Sequence, residues 1–577
     1  MIASDRAYLS PALETGRTWG FGVNLYALRS DRNWGIGDFT DLRDFVRFAA
    51  RVGADLVGVN PLHALHYVEP EAASPYSPTS RYFLNPIYID IEAVPDFTAR
   101  SSQAAALRRR VAAPAYASAL AELRARPDVA YAAVAREKWA ILEELYGIFR
   151  EAGGTRRAAF REFAERGGER LERFAIHEAL TERFATDAGR IRGWRTWEDA
   201  LRDADSPAVS AWAKKSRKRI DYFKYLQWLA DEQLGAVAEE ARALTIGLYL
   251  DVAVGVDVNS ADVWSDRDAY VLDATVGAPP DPLGPYGQNW GLPPLAPDAM
   301  LRDGGAVFAE LLAANMRHAG ALRLDHVMAL LRLFWIPLGM TPAEGAYVAY
   351  PFEELLAIAR AQSALARCTI VGEDLGNVPN GFRERMEAER ILSYRLLLFE
   401  READGGFKAP ECYPELALAT ATTHDLPTLA GWALGRDIAT RRRIGFATEE
   451  AAQEALGSRR VETSRLLDVL RRHGMLDDDT FERLHRTIDA RSDEPDDYAP
   501  LIRAAYGYLA RTPSRVVLVQ LDDAALEIDQ VNLPGTFTEY PNWRRKSRLG
   551  LADIARDERI AALAEEVSAR VKGGTAR

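Results

Sequence analysis

The sequence predicts an α/β fold, a (β/α)8 TIM barrel with helical insertions in the barrel loops, and three observations carry that prediction. Eight short apolar or β-branched runs recur along the chain with helical patterns between them, the mark of parallel β/α units in the number that closes a barrel. Four acidic residues stand at the ends of such runs, where a barrel gathers its polar groups at one mouth. The chain has 577 residues, 48% of them hydrophobic, enough to bury one large barrel core together with insertions. Periodicity alone leaves an open doubly wound sheet as the alternative.

In chain order, the predicted strands begin with Val23 to Leu28 and Leu56 to Asn60, in residues 1–95, the start of the barrel. The next strand comes only at Leu248, a gap far longer than a βαβ crossover needs. Its Ala/Arg/Glu-rich stretch from Ser101 to Glu239 predicts an inserted helical subdomain over 96–240. Leu248 to Val254, Ala321 to Val327, Thr369 to Glu373, Leu392 to Phe399 and Ala419 to Thr423 then form the barrel core of 241–427. A second helix-rich insertion follows at 428–510, with Gly457 and Gly474 as expected helix ends. Val516 to Leu521 is the final strand of 511–577, Ala552 to Val571 the closing amphipathic helix, and Gly573 to Arg577 a frayed end.

Composition excludes several functions. With 84 acidic against 72 basic side chains the formal charge is −12, so a nucleic-acid partner is not expected, because phosphate backbones are held by clustered Lys and Arg. Only two cysteines occur, Cys368 and Cys412, which fits a reducing compartment and leaves no disulfide framework. The first residues lack a basic segment leading into an apolar one, and no apolar run approaches the length of a bilayer span. A cytoplasmic location without a membrane partner is expected.

The chemistry sits at strand ends: Asp251 after Leu-Tyr-Leu, Asp325 in Ala-Leu-Arg-Leu-Asp-His, Glu373 in Ile-Val-Gly-Glu-Asp-Leu-Gly, and Asp425 in Thr-Thr-His-Asp-Leu-Pro-Thr. If Asp325 points into the barrel, the strand period of two turns Arg323 and Ala321 inward and Leu322 and Leu324 toward the helices. A buried guanidinium needs a partner, and beneath Asp325 it would keep that carboxylate ionised, as a nucleophile requires. Glu373, with Asp374 beside it and other acids near, would have its carboxyl pKa raised, as a proton donor requires. Two carboxyls with opposed protonation states are the machinery of glycoside cleavage, and His424 with Asp425 can grip sugar hydroxyls in an oxocarbenium-like transition state. Strand-end acids also cap helices, but four of them over a buried arginine are costly without a function.

Other candidates are weaker. Clustered acids can hold a divalent metal, but these four are scattered over separate strands; His63 and His66 have a zinc-like spacing with no third ligand. His63 is read as lining the site and His66 as part of its loop. Trp34-Gly-Ile-Gly-Asp-Phe lacks the third glycine of a dinucleotide fingerprint. The basic run Lys214 to Arg219 reads as a solvated helix face. Sugar sites need flat apolar surfaces, and Trp34, Tyr76, Trp290 and Trp432 stand in loops near the predicted mouth.

Six motifs occur together in one order: Ser74-Pro-Tyr-Ser-Pro-Thr-Ser80, Gly287-Gln-Asn-Trp-Gly-Leu-Pro293, Arg323-Leu-Asp-His326, Gly372-Glu-Asp-Leu-Gly376, His424-Asp-Leu-Pro-Thr428 and Asn532-Leu-Pro-Gly-Thr536. By these the chain closely resembles the 4-α-glucanotransferases of the amylomaltase type, from about Gly22 to Trp543. The resemblance implies a (β/α)8 barrel and retaining transfer of α-1,4-glucan segments between maltooligosaccharides, the donor and acceptor partners. It implies Asp325 as nucleophile, Glu373 as acid/base and Asp425 as transition-state stabiliser. Arg323, His424 and Asp251 stand beside them, and Tyr76, Gln288 and Trp290 are sugar-contacting loop residues, with Ser74 and Trp34 as further candidates. No cofactor and no metal are implied. Two departures stand out: the extra N-terminal β-rich region of some longer bacterial members is not seen, and Tyr540 stands where many relatives carry His. The carboxylates alone do not separate a transferase from an α-1,4-glucan hydrolase, and a non-catalytic glucan-binding barrel is disfavoured because all three acids are present.

Overall fold

The computed structural model describes residues 5–151, 153–186, 190–280, 286–536 and 538–573. Eight parallel strands close a barrel: β1 (Thr18–Val23), β2 (Leu56–Val59), β3 (Gly247–Val252), β4 (Ala321–Leu324), β5 (Thr369–Gly372), β6 (Leu392–Leu396), β7 (Ala417–Thr420) and β8 (Val516–Gln520). Each pairs with its neighbours in chain order, and β1 closes on β8 with Thr18 opposite Val516. The fold is a TIM barrel.

Seven of the predicted strands begin or end within a few residues of the observed ones, but the first does not. It runs over Thr18–Val23, and Leu25–Ala27, inside the predicted run, is a turn of 3₁₀ helix. The cause is Gly20 and Gly22, which make the true strand look like a loop. A Cβ at Gly20 would lie 2.1 Å from the Leu56 carbonyl oxygen, and one at Gly22 would lie 2.6 Å from the Gln520 side chain. The barrel interior has no room there for side chains from β1, so the strand buries Trp19, Phe21 and Val23 outward instead.

The strand period sorts the rest of the core. Leu56, Tyr249, Ala321, Val371, Tyr394, Leu418 and Leu518 fill the barrel interior, while Leu322 and Leu324 pack outward beneath the helices. Between β2 and β3 the chain forms the helices Ser102–Val111, Pro114–Ala125, Tyr131–Glu151, Thr155–Phe184, Pro207–Lys215 and Arg217–Glu240. Between β7 and β8 lie further helices, the longest Glu449–Arg472. Gly457, expected to end a helix, lies inside that one on its exposed face, whereas Gly474 follows it at φ 65°. The closing helix is Glu558–Gly573, shorter at its start than predicted because Leu551–Ile554 forms a separate turn. Residues 574–577 of the expected frayed end lie outside the described residues.

Two features escaped the sequence reading. An antiparallel sheet of Ala346–Ala349, Arg332–Pro337, Ala274–Ala278 and Gln288–Leu292 stands beside β4, and a two-stranded ribbon pairs His63–Ala64 with Ser80–Leu84. The first puts Gln288 and Trp290 on an edge strand; the second anchors the loop that carries Tyr76. Among the described residues no helix is long and apolar enough to cross a membrane.

Candidate active site

The barrel register places the charges. Asp251 on β3 sits directly across from Arg323 on β4, and Val371 on β5 flanks Arg323 on the other side. The guanidinium therefore reaches both acids: Nη1 donates to the two Asp251 oxygens at 2.8 and 2.9 Å, and Nη2 lies 2.8 Å from Asp325 Oδ1. The pairing with Asp325 was expected, the forked contact with Asp251 was not. Arg323 is 8% exposed, so these contacts form in a low-dielectric interior.

A tight turn then carries the chain from Asp325 toward β5. His326 has φ 46°, uncommon for a side-chain-bearing residue, and this bends its N–H onto Glu373 Oε2 at 2.9 Å. The Leu375 N–H holds the other Glu373 oxygen at 2.7 Å. Burial pushes the Glu373 carboxyl up to about 7; Arg323 opposes this and the nearby Asp325 adds to it. Asp374, expected to help raise it, has turned away. Its carboxylate accepts from Arg383, Ser393 and the Tyr394 N–H, and its charge is absorbed there.

On the opposite rim, His424 and Asp425 follow β7. Enclosure in the mouth would raise the Asp425 carboxyl, but His424 Nε2 at 3.3 Å and the Asn532 amide at 2.7 Å outweigh it and hold it at about 2. The side chain still meets solvent, 49% exposed, so a ligand can reach it. Burial pulls the His424 imidazole down, yet the Asp425 charge and contact leave it raised. Tyr76 stacks on His424 at 4.8 Å between ring centroids and donates its hydroxyl to Asp251 Oδ2 at 2.6 Å. One hydrogen-bonded and stacked chain thus runs Asp325, Arg323, Asp251, Tyr76, His424, Asp425, and its members Asp251, Arg323 and His424 line a mouth cavity of about 60 Å³.

The remaining candidates scatter. Trp290 packs edge-on against His326 at 5.2 Å, and its indole N–H donates to Gln288, so both stand near Asp325. Ser74 opens the turn before Tyr76, its carbonyl accepting from the Ser77 N–H. Trp34 is 2% exposed against Tyr116 with its N–H on Glu92, and Trp432 is 4% exposed beneath Arg459. Neither indole offers an open face to a sugar. Both are core residues whose Gly-containing surroundings read as loop. His63, brought down to about 3 by burial with the Arg81 charge adding, accepts from the Ala253 N–H, and His66 faces Asp257 at 3.5 Å. Among the described residues no three His, Cys, Asp or Glu side chains converge on a metal position.

Sequence reasoning missed three residues of this rim. Asn532 was signalled by its Asn-Leu-Pro-Gly-Thr motif but assigned no contact. Asp522, after β8, lines the mouth and accepts from Asn24 at 3.1 Å; burial and then Asp523 lift its carboxyl to about 6. Trp543 lies under Tyr76 and His424, and no periodicity announced it. Tyr540, the departure noted above, is buried with its hydroxyl donating to the Gln530 carbonyl at 2.6 Å.

Comparisons with known proteins identify the family and the fold. The sequence profile of the 4-alpha-glucanotransferase family matches residues 23–551. A 4-alpha-glucanotransferase of Haemophilus influenzae is 39% identical over 570 residues, covering 97% of this chain and 80% of its own length. One from Mycobacterium tuberculosis is 36% identical over 588 residues, covering 99% and 77%. Among solved structures, the amylomaltase of Corynebacterium glutamicum superposes with a TM-score of 0.83 at 31% identity, over 97% of this chain and 77% of that one. The amylomaltase of Streptococcus agalactiae, solved with acarbose, has a TM-score of 0.73 at 20% identity over 96% and 98%, a likeness of fold.

Proposed function

The chain belongs to the 4-α-glucanotransferase family and is an enzyme of that kind, and from that premise we propose that it transfers α-1,4-glucan segments between maltooligosaccharides by a retaining double displacement. One observation supports this reading above the others. Three carboxyls follow barrel strands in three different settings: Asp325 against a guanidinium, Glu373 lifted to about 7, and Asp425 held at about 2. Retaining glycoside chemistry needs such a division between a standing anion and a proton donor.

In the first half-reaction the Asp325 carboxylate attacks C1 of the donor sugar, the C1–O4 bond breaks, and Glu373 gives its proton to the departing oxygen. A glycosyl ester on Asp325 and a shortened glucan result. In the second, Glu373, now an anion, takes the proton of an acceptor 4-hydroxyl, whose oxygen attacks C1 and displaces Asp325. Glu373 is reprotonated and Asp325 freed. Arg323 keeps its guanidinium on Asp325 and Asp251, opposing the rise that burial imposes on the Asp251 carboxyl. His424 and Asp425 grip hydroxyls of the sugar bound to Asp325 and tighten as positive charge develops at C1.

Transfer competes with water at ~55 M, and an acceptor held in near-attack geometry can reach effective molarities of ~10⁵ M and above. The acceptor therefore has to be bound, and Gln288 and Trp290, beside His326, are the residues we assign to that path. A cytoplasmic site of action belongs to the same proposal, in keeping with free thiols at Cys368 and Cys412. Incubation of the purified protein with maltotriose tests the reading. A ladder of longer maltooligosaccharides plus glucose, with almost constant reducing ends, supports it. Only shorter sugars, with reducing ends rising in step, would replace transferase with hydrolase.

A further inference from the structure

Two residues of the proposed sugar grip share one support. Tyr76 and His424 both lean on the indole of Trp543, with centroids 5.6 and 5.2 Å away. Trp543 is 3% exposed, so it does not meet a bound sugar itself. Its backbone has φ 60°, the left-handed region that a bulky side chain avoids. Such strain persists where the surroundings over-determine it, and it clusters at functional sites.

Those surroundings are specific. The Trp543 N–H donates to the Val531 carbonyl at 3.2 Å, next to Asn532, whose amide holds Asp425. The Asn542 side chain accepts from the Leu533 N–H at 2.8 Å and donates to Thr536, closing the same loop. From the other side, the Tyr131 hydroxyl donates to the Trp543 carbonyl at 2.7 Å. Tyr131 opens the helix Tyr131–Glu151, in the helical stretch between β2 and β3. Val129 and Lys546 add backbone hydrogen bonds to Arg544 and Pro127 at 2.7 and 2.8 Å.

We propose that Trp543 is a positioning residue for the transfer reaction: its ring sets the orientation of His424 and Tyr76, and the helical insertion, through Tyr131, sets Trp543. This rests on the reading above in one respect, that His424 and Tyr76 face the donor sugar. An imidazole flanked by two rings has one orientation toward the sugar; without the indole it can turn, and the grip that strengthens in the transition state is lost before ground-state binding is.

The test is a double-mutant cycle on maltotriose turnover, using Trp543→Phe, His424→Asn and the pair, with melting curves and active-site titration correcting for folded enzyme. Trp543→Phe is expected to lower kcat about tenfold with KM within about threefold, and to change kcat less than about twofold once His424 is already Asn. Tyr131→Phe leaves every ring in place and removes one hydrogen bond. It should lower kcat about threefold in the parent and have no effect in the His424→Asn background. Factors that multiply equally in both backgrounds would overturn the proposal, since Trp543 would then act on the fold alone. If Trp543→Phe does not fold, the Tyr131→Phe cycle decides by the same criterion. Should the wild type release reducing ends instead of a ladder, the transferase reading fails, and the cycle read on hydrolysis still decides the role of Trp543.

Discussion

Replacing Arg323 by Ala removes the cation that bridges Asp251 and Asp325. Each contact is 2.8 Å at its shortest. With centres of charge about 4 Å apart and an effective dielectric near 20, each pairing is worth roughly 4 kcal/mol of Coulomb attraction. Losing about 4 kcal/mol of electrostatic support for the carboxylate proposed to attack C1 should lower kcat/KM for maltotriose about 10³-fold. Stability should fall by about 3 to 5 kcal/mol at pH 7, because buried Asp251 and partly exposed Asp325 have lost their partner. The sign of its pH dependence follows. Burial already raises the Asp251 carboxyl and losing the cation raises it further above its unfolded value, so the deficit is largest above its folded pKa and shrinks as pH falls toward about 4. Initial rates on maltotriose, with urea unfolding at pH 4.5 and 7.5, measure both effects. A folded Arg323→Ala enzyme within tenfold of wild type, or a deficit that grows in acid, would refute the pairing argument. Arg323→Lys should rescue little, since one ammonium cannot fork between two carboxylates.

The Glu373 carboxyl at about 7 sets an alkaline limb: kcat/KM should decline above about pH 7 as the proton donor is lost. Its raised pKa also costs folded stability as pH rises from about 4.5 through 7, by roughly 3 kcal/mol in total, so Glu373→Gln should gain that much on wild type between pH 4 and pH 8 while losing activity. Unfolding of both proteins at the two pH values checks it, and parallel pH profiles would contradict it. Trp290→Ala should shift maltotriose products toward hydrolysis or slow both reactions; an unchanged ratio at unchanged rate would remove Trp290 from the acceptor path.

Much of the barrel is legible in the sequence because its strands are short, apolar and β-branched, a pattern that burial on both faces imposes. β1 is the exception, since its glycines answer to Leu56 and Gln520 across the interior, and those contacts are fixed only when the barrel closes. Strand alternation gave Arg323 beneath Asp325, but the fork to Asp251 depends on the register between β3 and β4, which no single strand encodes. Glu373 has the raised pKa its acidic surroundings predict, with Asp325 contributing, but Asp374 takes no part. Adjacency to Asp374 in sequence says nothing of where that side chain turns, and burial supplies the lift. Trp34 and Trp432 fail for a related reason, as glycine-rich surroundings mark tight packing as readily as an exposed loop.

The central claim is that a glucosyl unit passes through Asp325. Glu373→Gln treated with an α-maltosyl fluoride tests it most directly, because fluoride leaves without an acid while the second step lacks its base. Mass spectrometry of the digested protein should find a maltosyl adduct on the peptide containing Asp325, and azide, an anion that needs no base, should release it from the undigested protein as a product that keeps the α configuration. No adduct, an adduct on another residue, or a product of inverted configuration would contradict the account.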